Sequence, residues 1–178
     1  MTTSLRGATA FALAAALGCN KGLEPTPAPT TCPQGFVGVC GTVTFQGTKP
    51  DSTEGVFIVA YPTFPQSRND LLSFSPFPPP SSLPQPFTGP QFYALPLPSG
   101  RYEWVVAVWK RVGTFAQNFS NADSLLKEAG FYRDGADTTS HGSGIVTVAN
   151  GGTSGISFLI DFSNMHSISH YFPAPPSR

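Results

Sequence analysis

Apolar and polar residues begin to alternate at Val37, and the alternation continues to Phe45. Val37, Val39, Val43 and Phe45 would point to one side of an extended chain, with Thr42 and Thr44 on the other. A period of two residues is typical of a strand with one face in a core and one in solvent. The pattern therefore predicts a first, half-buried strand in this segment.

Similar patterns recur along the chain. "VFIVAY" (Val56–Tyr61) and "RYEWVVAVWK" (Arg101–Lys110) are apolar on both faces, which predicts central strands. Further strands are predicted at Gln91–Leu97, Val112–Phe119, Ile145–Val148 and Gly155–Phe162. "SNADSLLKEAGFY" predicts one short helix that begins at Ser120 or Asn121 and ends at Gly130. The order of elements predicts an all-β fold, an antiparallel seven-stranded β-sandwich of the transthyretin-like or Ig-like kind.

Residues 62–90 interrupt this pattern with a long proline-rich insertion. The insertion contains nine prolines, and proline cannot donate a hydrogen bond to a sheet. It also contains many Leu and Phe residues. In one interpretation, these side chains pack the loop against an open face of the sandwich. In the other, the loop is an exposed segment that binds a partner through its polyproline character.

The first 34 residues form a separate region. A basic start, an apolar run from Gly7 to Leu17 and a small-residue exit are typical of an export signal, and the run is shorter than the roughly 20 residues of a membrane-spanning helix. "ALGC" (residues 16–19) resembles the lipobox of bacterial lipoproteins. The resemblance implies a signal peptide at 1–18, lipidation of Cys19 and a membrane partner. An ordinary secretory signal is the alternative.

Residues 19–34 would then be a tether, because "EPTPAPTT" favours an extended polyproline II spacer. Asn20 follows the cysteine where an Asp would resemble an inner-membrane retention signal, so we expect the outer membrane of a bacterial envelope rather than the inner one. The sandwich domain would occupy residues 35–172, and residues 173–178 would be a loose tail.

Charge and cysteine content narrow the classes of function. Ten basic and ten acidic residues cancel, and charged residues make up only 11% of the chain. This balance gives no basic surface for nucleic acid, so no nucleic-acid partner is expected. Cys32 and Cys40 would lie outside the cytoplasm, where a disulfide between them is favoured. Two free thiols or a metal site are the alternatives.

Four phrases resemble the transthyretin-like or carboxypeptidase regulatory-like domains of bacterial surface lipoproteins. They are "GTVTFQGTKP", "VFIVAYP", "LPLPSGRYEWVVAVWK" and "SGISFLIDF", and the resemblance covers roughly residues 38 to 162. It implies a seven-stranded sandwich that supports, spaces or binds. The resemblance does not imply an enzymatic activity.

Few residues suggest chemistry. His166 and His170 in "HSISH" could bind a metal with His141 or Asp161, although the segment lacks helix-forming character; surface histidines are the alternative. Tyr102, Trp104 and Trp109 could form an aromatic platform for a sugar, or belong to the core.

We therefore expect a membrane-anchored, non-catalytic module with no cofactor, whose partners are envelope proteins or polysaccharide. A carbohydrate- or peptide-binding accessory of an uptake or degradation system is the second hypothesis, and a metal-dependent enzyme that uses the three histidines is the third.

Overall fold

The computed structural model describes residues 29–116 and 120–173. The predicted signal peptide, Cys19 and all but the end of the tether lie outside these residues, as does most of the predicted tail. Nine strands form in the described part: β1 (Gly38–Gln46), β2 (Thr53–Tyr61), β3 (Gln91–Pro96), β4 (Gly100–Tyr102), β5 (Trp104–Arg111), β6 (Leu126–Phe131), β7 (Val146–Val148), β8 (Phe158–Asp161) and β9 (His166–Ser167). Helices are short: a 3-10 helix at Arg68–Leu72, α1 (Ala122–Leu125) and α2 (Ile168–Tyr171).

The strands form three sheets. The first has the order β3-β1-β8, the second β2-β5-β6-β9, and the third pairs β4 with β7. The all-β prediction is confirmed. The strand number differs from the predicted seven, and β1 and β8 run parallel, with Val43 opposite Phe158. The parallel pairing departs from the predicted antiparallel arrangement.

The main core draws its side chains from all three sheets. β1 contributes Val39 and Val43, β2 contributes Val56 and Ile58, and β8 contributes Ile160. These side chains are between 0% and 3% exposed. Each aliphatic side chain of this size stabilises the fold by roughly 1.5–3 kcal/mol when fully buried, so this shared cluster holds the sheets together.

A second apolar cluster covers the opposite face of the second sheet. Tyr61, Trp104 and Phe131 from the sheet contact Phe64 of the proline-rich insertion, while Leu71 and Phe74 of the insertion pack around them. The insertion also bonds to the edge of β2, since the main chains of Ala60 and Ser75 exchange two hydrogen bonds of 2.7 and 2.9 Å. Most of the insertion's rings therefore pack inward, as the first interpretation expects, while the Phe77 side chain is 76% exposed.

The predicted strand over Arg101–Lys110 is divided at Glu103. Its start belongs to β4 and its remainder to β5. The Glu103 carboxylate accepts a hydrogen bond from Phe64 N at 2.8 Å, and its main-chain oxygen accepts one from Ser143 Oγ at 2.7 Å. The Phe64 N–H and the Arg101 guanidinium hold the pKa of Glu103 below its usual range. A polar junction therefore redirects the chain between two sheets.

The predicted helix begins after Asn121, as expected, but it is shorter than predicted, and one predicted strand is absent from the described residues. The helix that was predicted to end at Gly130 spans only α1, and the residues after it form β6. A short isolated helix is marginally stable, so the hydrogen bonds of β6 to β5 outweigh the helical propensity of residues 126–131. No strand forms over residues 112–116, and residues 117–119 lie outside the described part.

Candidate functional site: the Glu128 cluster

Cys32 and Cys40 form a disulfide, with a Cα–Cα distance of 5.3 Å. Cys40 lies within β1 and is completely buried. Cys32 N also donates to Ser154 Oγ at 3.0 Å. The start of the described chain is thereby fastened to the first sheet, where the sequence predicted a bond.

The three aromatic residues of the predicted platform are buried. Tyr102, Trp104 and Trp109 are 4%, 4% and 3% exposed. Trp104 and Trp109 are five positions apart on β5, so they face opposite sides of the second sheet and join different apolar clusters. These rings consequently offer no exposed stacking surface in the described structure, and their place in the core matches the alternative interpretation.

The three histidines do not form one site. His141 stacks on Phe64, with ring centroids 3.8 Å apart and planes 3° apart. His166 and His170 stack on each other at 4.3 Å. Among the described residues, no group of three or more His, Cys, Asp or Glu side chains has the geometry of a metal site. The three histidines, with or without Asp161, therefore lack the geometry of a metal site.

A different cluster forms around Glu128, which is 8% exposed. His166 Nδ1 lies 2.7 Å from Glu128 Oε2, and the Tyr171 hydroxyl donates to the same oxygen at 2.9 Å. The His170 ring covers the His166 ring. We call Glu128, His166, His170 and Tyr171 the Glu128 cluster.

Local pairing explains why these residues meet. β9 is only two residues long, and it places His166 opposite Glu128 on β6. α2 follows at once and brings Tyr171 back over the same carboxylate. The sequence spacing showed the histidine pair, but Glu128 lay in the predicted helix. Its role was missed for that reason.

Burial is the largest cause that raises the pKa of Tyr171, and the adjacent Glu128 carboxylate raises it further. Tyr171 therefore remains a protonated hydrogen-bond donor. Nδ1 is directed at the carboxylate, and the other ring nitrogen of His166 has no hydrogen-bond partner among the described residues. No hydroxyl or thiol nucleophile bonds to His166 in the described part of the chain.

The cluster borders a cavity of about 310 Å³. Glu128 and His166 line one part of the wall, and Arg133, Asp134 and Asp161 line others. The Arg133 guanidinium lies 3.8 Å from the centre of the Phe131 ring. Hydrogen bonds from the Ser163 hydroxyl and main chain hold the pKa of Asp161 below its usual range. The wall also includes Phe131, Phe158 and Leu159, so the lining is mixed, and its carboxylates outnumber its cations.

No protein-family model matches the chain, and no curated protein or solved structure matches it. Among the described residues, no helix has both the length and the apolar character needed to span a membrane. The described part is therefore characterised by its own features: an all-β domain in which one buried carboxylate, Glu128, lies beside a cavity of mixed polar and apolar lining.

Proposed function

We propose that this protein is a non-catalytic lipoprotein of the bacterial cell envelope, in which a lipid on Cys19 holds a β-sandwich domain beside the membrane. The observation that carries the proposal is the run "ALGC" between an apolar segment and a proline- and threonine-rich tether. A thioether-linked diacylglycerol adds roughly 0.8 kcal/mol of membrane affinity per buried CH₂ group, so two chains anchor a protein stably.

The position of the disulfide supports an extracytoplasmic location. Disulfides persist in oxidising compartments and are rare in the cytosol. Cys32 and Cys40 lie where the tether would meet the domain, so a bond between them fixes the orientation of the tether at the domain surface.

We also propose that the domain is of the transthyretin-like type. Two larger sheets that share one core support this proposal, and so do strands over all four sequence phrases that carry the resemblance. In this proposal β4 and β5, which together cover the predicted strand Arg101–Lys110, count as one interrupted strand. β9 is a short addition, so seven strands remain. An experimental structure with a strand order unlike that of transthyretin-like domains would contradict it.

Metabolic labelling with palmitate and mass analysis of the mature N-terminus test the anchor. We expect label on the wild-type protein and an acylated N-terminal peptide that begins at Cys19. Cys19→Ser should abolish labelling, while Asn20→Ser should retain it. Asn20→Ser changes the neighbouring residue and leaves the lipidated one, so it is the matched control. An unlabelled wild-type chain with residues 1–18 attached would overturn the proposal.

Density-gradient fractionation of cell envelopes then tests whether the protein lies in the outer or the inner membrane. We expect the acylated protein in the outer-membrane fraction, because Asn20 differs from the retention residue that the resemblance describes. Recovery in the inner membrane would refute the outer-membrane assignment and leave the lipid anchor intact.

The cavity beside the Glu128 cluster favours a second candidate, an accessory that binds peptide or carbohydrate. A volume of about 310 Å³ lies at the lower end of the range of small-molecule sites, and carboxylates can accept hydrogen bonds from hydroxyl or ammonium groups. Equilibrium dialysis with soluble cell-wall fragments tests this candidate. Binding to the wild type that Glu128→Gln weakens would support it, and no binding to the wild type would count against it.

A further inference from the structure

The proline-rich insertion bonds to the main chain of β2, the edge strand of the second sheet, but not to the main chain of β3, the edge strand of the first. Along β2, the insertion satisfies main-chain groups: Ser75 bonds to Ala60, and Leu83 N donates to Val56 O at 2.8 Å. Ser82 Oγ also accepts from Val56 N at 3.0 Å. The outer edge of the second sheet is therefore covered over much of its length.

In the described structure, no main-chain hydrogen bond joins the insertion to β3, the edge strand of the first sheet. Leu97 N donates to Val37 O, which continues the register that places Leu95 opposite Val39. On β1, Cys40 N donates away from β3, to Thr153 O. Since alternate residues of a strand bond to opposite neighbours, Gln91, Tyr93 and Leu95 bond to β1, whereas Phe92, Ala94 and Pro96 direct their main-chain groups outward.

These outward groups have no partner in the described structure. Outside the pairing with β1, no hydrogen bond among the described residues uses the main chain of Phe92, Ala94 or Pro96. A groove of about 200 Å³ separates this edge from the insertion at Pro80–Pro84. The strand has no bulge in its pairing with β1. Native edges are usually protected by a charge, a proline, a bulge or a covering segment, and residues 92–95 of β3 carry no charge, proline or bulge.

The surrounding sequence is uncharged. Residues 71–100, which include all of β3 and the whole groove wall except Ile58, contain no Asp, Glu, Lys, Arg or His. An uncharged edge neither attracts a charged peptide nor repels an identical copy of itself. Two identical copies of this edge can also pair with each other, because the main-chain N–H and C=O of Ala94 both point outward.

We propose that β3 pairs antiparallel with β3 of a second copy of this chain, which joins two three-stranded sheets into one six-stranded sheet. With the two-fold axis at Ala94, the two Ala94 residues exchange both main-chain hydrogen bonds. Phe92 N of each copy then donates to Pro96 O of the other. Pro96 has no N–H, so pairing ends there and the register is fixed at one end.

Cross-linking in intact cells tests the arrangement on the full chain. Ala94→Cys places a thiol about 5.5 Å, Cα to Cα, from its symmetry mate, so a short bismaleimide should give a dimer band. Thr44→Cys is the matched control, an exposed position on the same face of the same sheet. In the proposed pairing its symmetry mate lies about 30 Å away, so it should not cross-link. Equal yields for the two variants would overturn the proposal.

Sedimentation equilibrium of the purified full chain in density-matched detergent gives a second, independent measurement. The wild type should show a reversible monomer–dimer equilibrium. Ala94→Pro removes an outward N–H and none of the bonds to β1, so it should abolish the dimer while the domain stays folded by circular dichroism. A monomeric wild type, or a dimer that persists in folded Ala94→Pro, would refute pairing through β3.

Discussion

His166 Nδ1 lies 2.7 Å from Oε2 of Glu128, and this carboxylate is almost fully buried beneath the imidazole and the Tyr171 hydroxyl. A buried carboxylate is costly to desolvate unless hydrogen bonds compensate it. The two donors converge on one oxygen, so the stability of this corner of the domain depends on Glu128 as the common acceptor.

We predict that Glu128→Ala lowers the free energy of unfolding by about 2 kcal/mol, because it leaves two half-buried donors without their acceptor. Tyr171→Phe should cost about 1 kcal/mol, since it removes one donor and keeps the ring. Urea denaturation of both variants measures the difference. Equal losses for the two variants would contradict the role of Glu128 as a shared acceptor.

The buried tyrosines predict a loss of stability in alkali. Burial raises the pKa of Tyr61, Tyr93 and Tyr171 above the ordinary value near 10. Below about pH 10 the phenol is neutral in both the folded and the unfolded state, so the full stability is present. Above about pH 10 the unfolded chain releases protons that the folded chain keeps, and stability falls as the pH rises.

Phenolate absorbance followed during an alkaline titration measures this effect. We expect ionisation to be delayed and then to coincide with unfolding, as followed by circular dichroism. Guanidinium-unfolded protein is the control, in which all tyrosines should titrate near the ordinary value. Smooth ionisation of the folded protein near pH 10 would contradict the prediction.

Trp104 and Trp109 form a matched pair on β5. Trp109 Nε1 donates to Thr53 Oγ1 at 2.8 Å in the core. Trp104 Nε1 is buried with no acceptor among the described residues. Trp109→Phe should therefore lower the free energy of unfolding by about 1 kcal/mol more than Trp104→Phe, since only the Trp109 substitution breaks a hydrogen bond. Thermal denaturation of the two variants tests this order, and the reverse order would be inconsistent with the described contacts.

Gly130 is predicted to be intolerant of any side chain. Its φ is +153°, and a Cβ at this position would overlap the main-chain oxygen of Leu159 on β8. We expect Gly130→Ala to destabilise the protein by about 3 kcal/mol or more. Gly89→Ala is the control: its φ is +64° with open space around it, so only the backbone penalty of about 1–2 kcal/mol applies. Similar melting temperatures for the two would contradict the close approach of β6 and β8.

The disulfide joins two residues that are eight positions apart and so closes a short loop. In the chain-entropy description, a loop of this size contributes about 2.5 kcal/mol by restricting the unfolded chain. Cys32→Ser should lower the free energy of unfolding by roughly this amount. The reduced wild type should show a similar loss, and an unchanged denaturation midpoint would argue against the contribution.

The strands were predictable because their apolar periodicity depends on local sequence. β1, β2, β3 and β8 lie within or close to their predicted ranges, as the alternation of Val39, Val43 and Ile160 required. The disulfide was also predictable, because Cys32 and Cys40 follow a predicted export signal and a disulfide is favoured outside the cytoplasm.

The remaining features depend on contacts between distant residues. Leu126–Phe131 has helical propensity, and only pairing with β5 makes it a strand. Glu128 was therefore assigned to the wrong element, and its partners His166 and Tyr171 are 38 and 43 positions away. The parallel pairing of β1 with β8 joins segments more than a hundred residues apart, and no local pattern encodes it.

The bond between Cys32 and Cys40 also has a mechanical consequence. Tension applied along the N-terminal segment would pass through the sulfur atoms directly to Cys40, the third residue of β1, which is the central strand of its sheet. Residues 33–39 would bear none of the load. A pull would therefore act against β1 while it is hydrogen-bonded on both sides, and the domain would yield by shear of a whole sheet rather than by gradual peeling from its end.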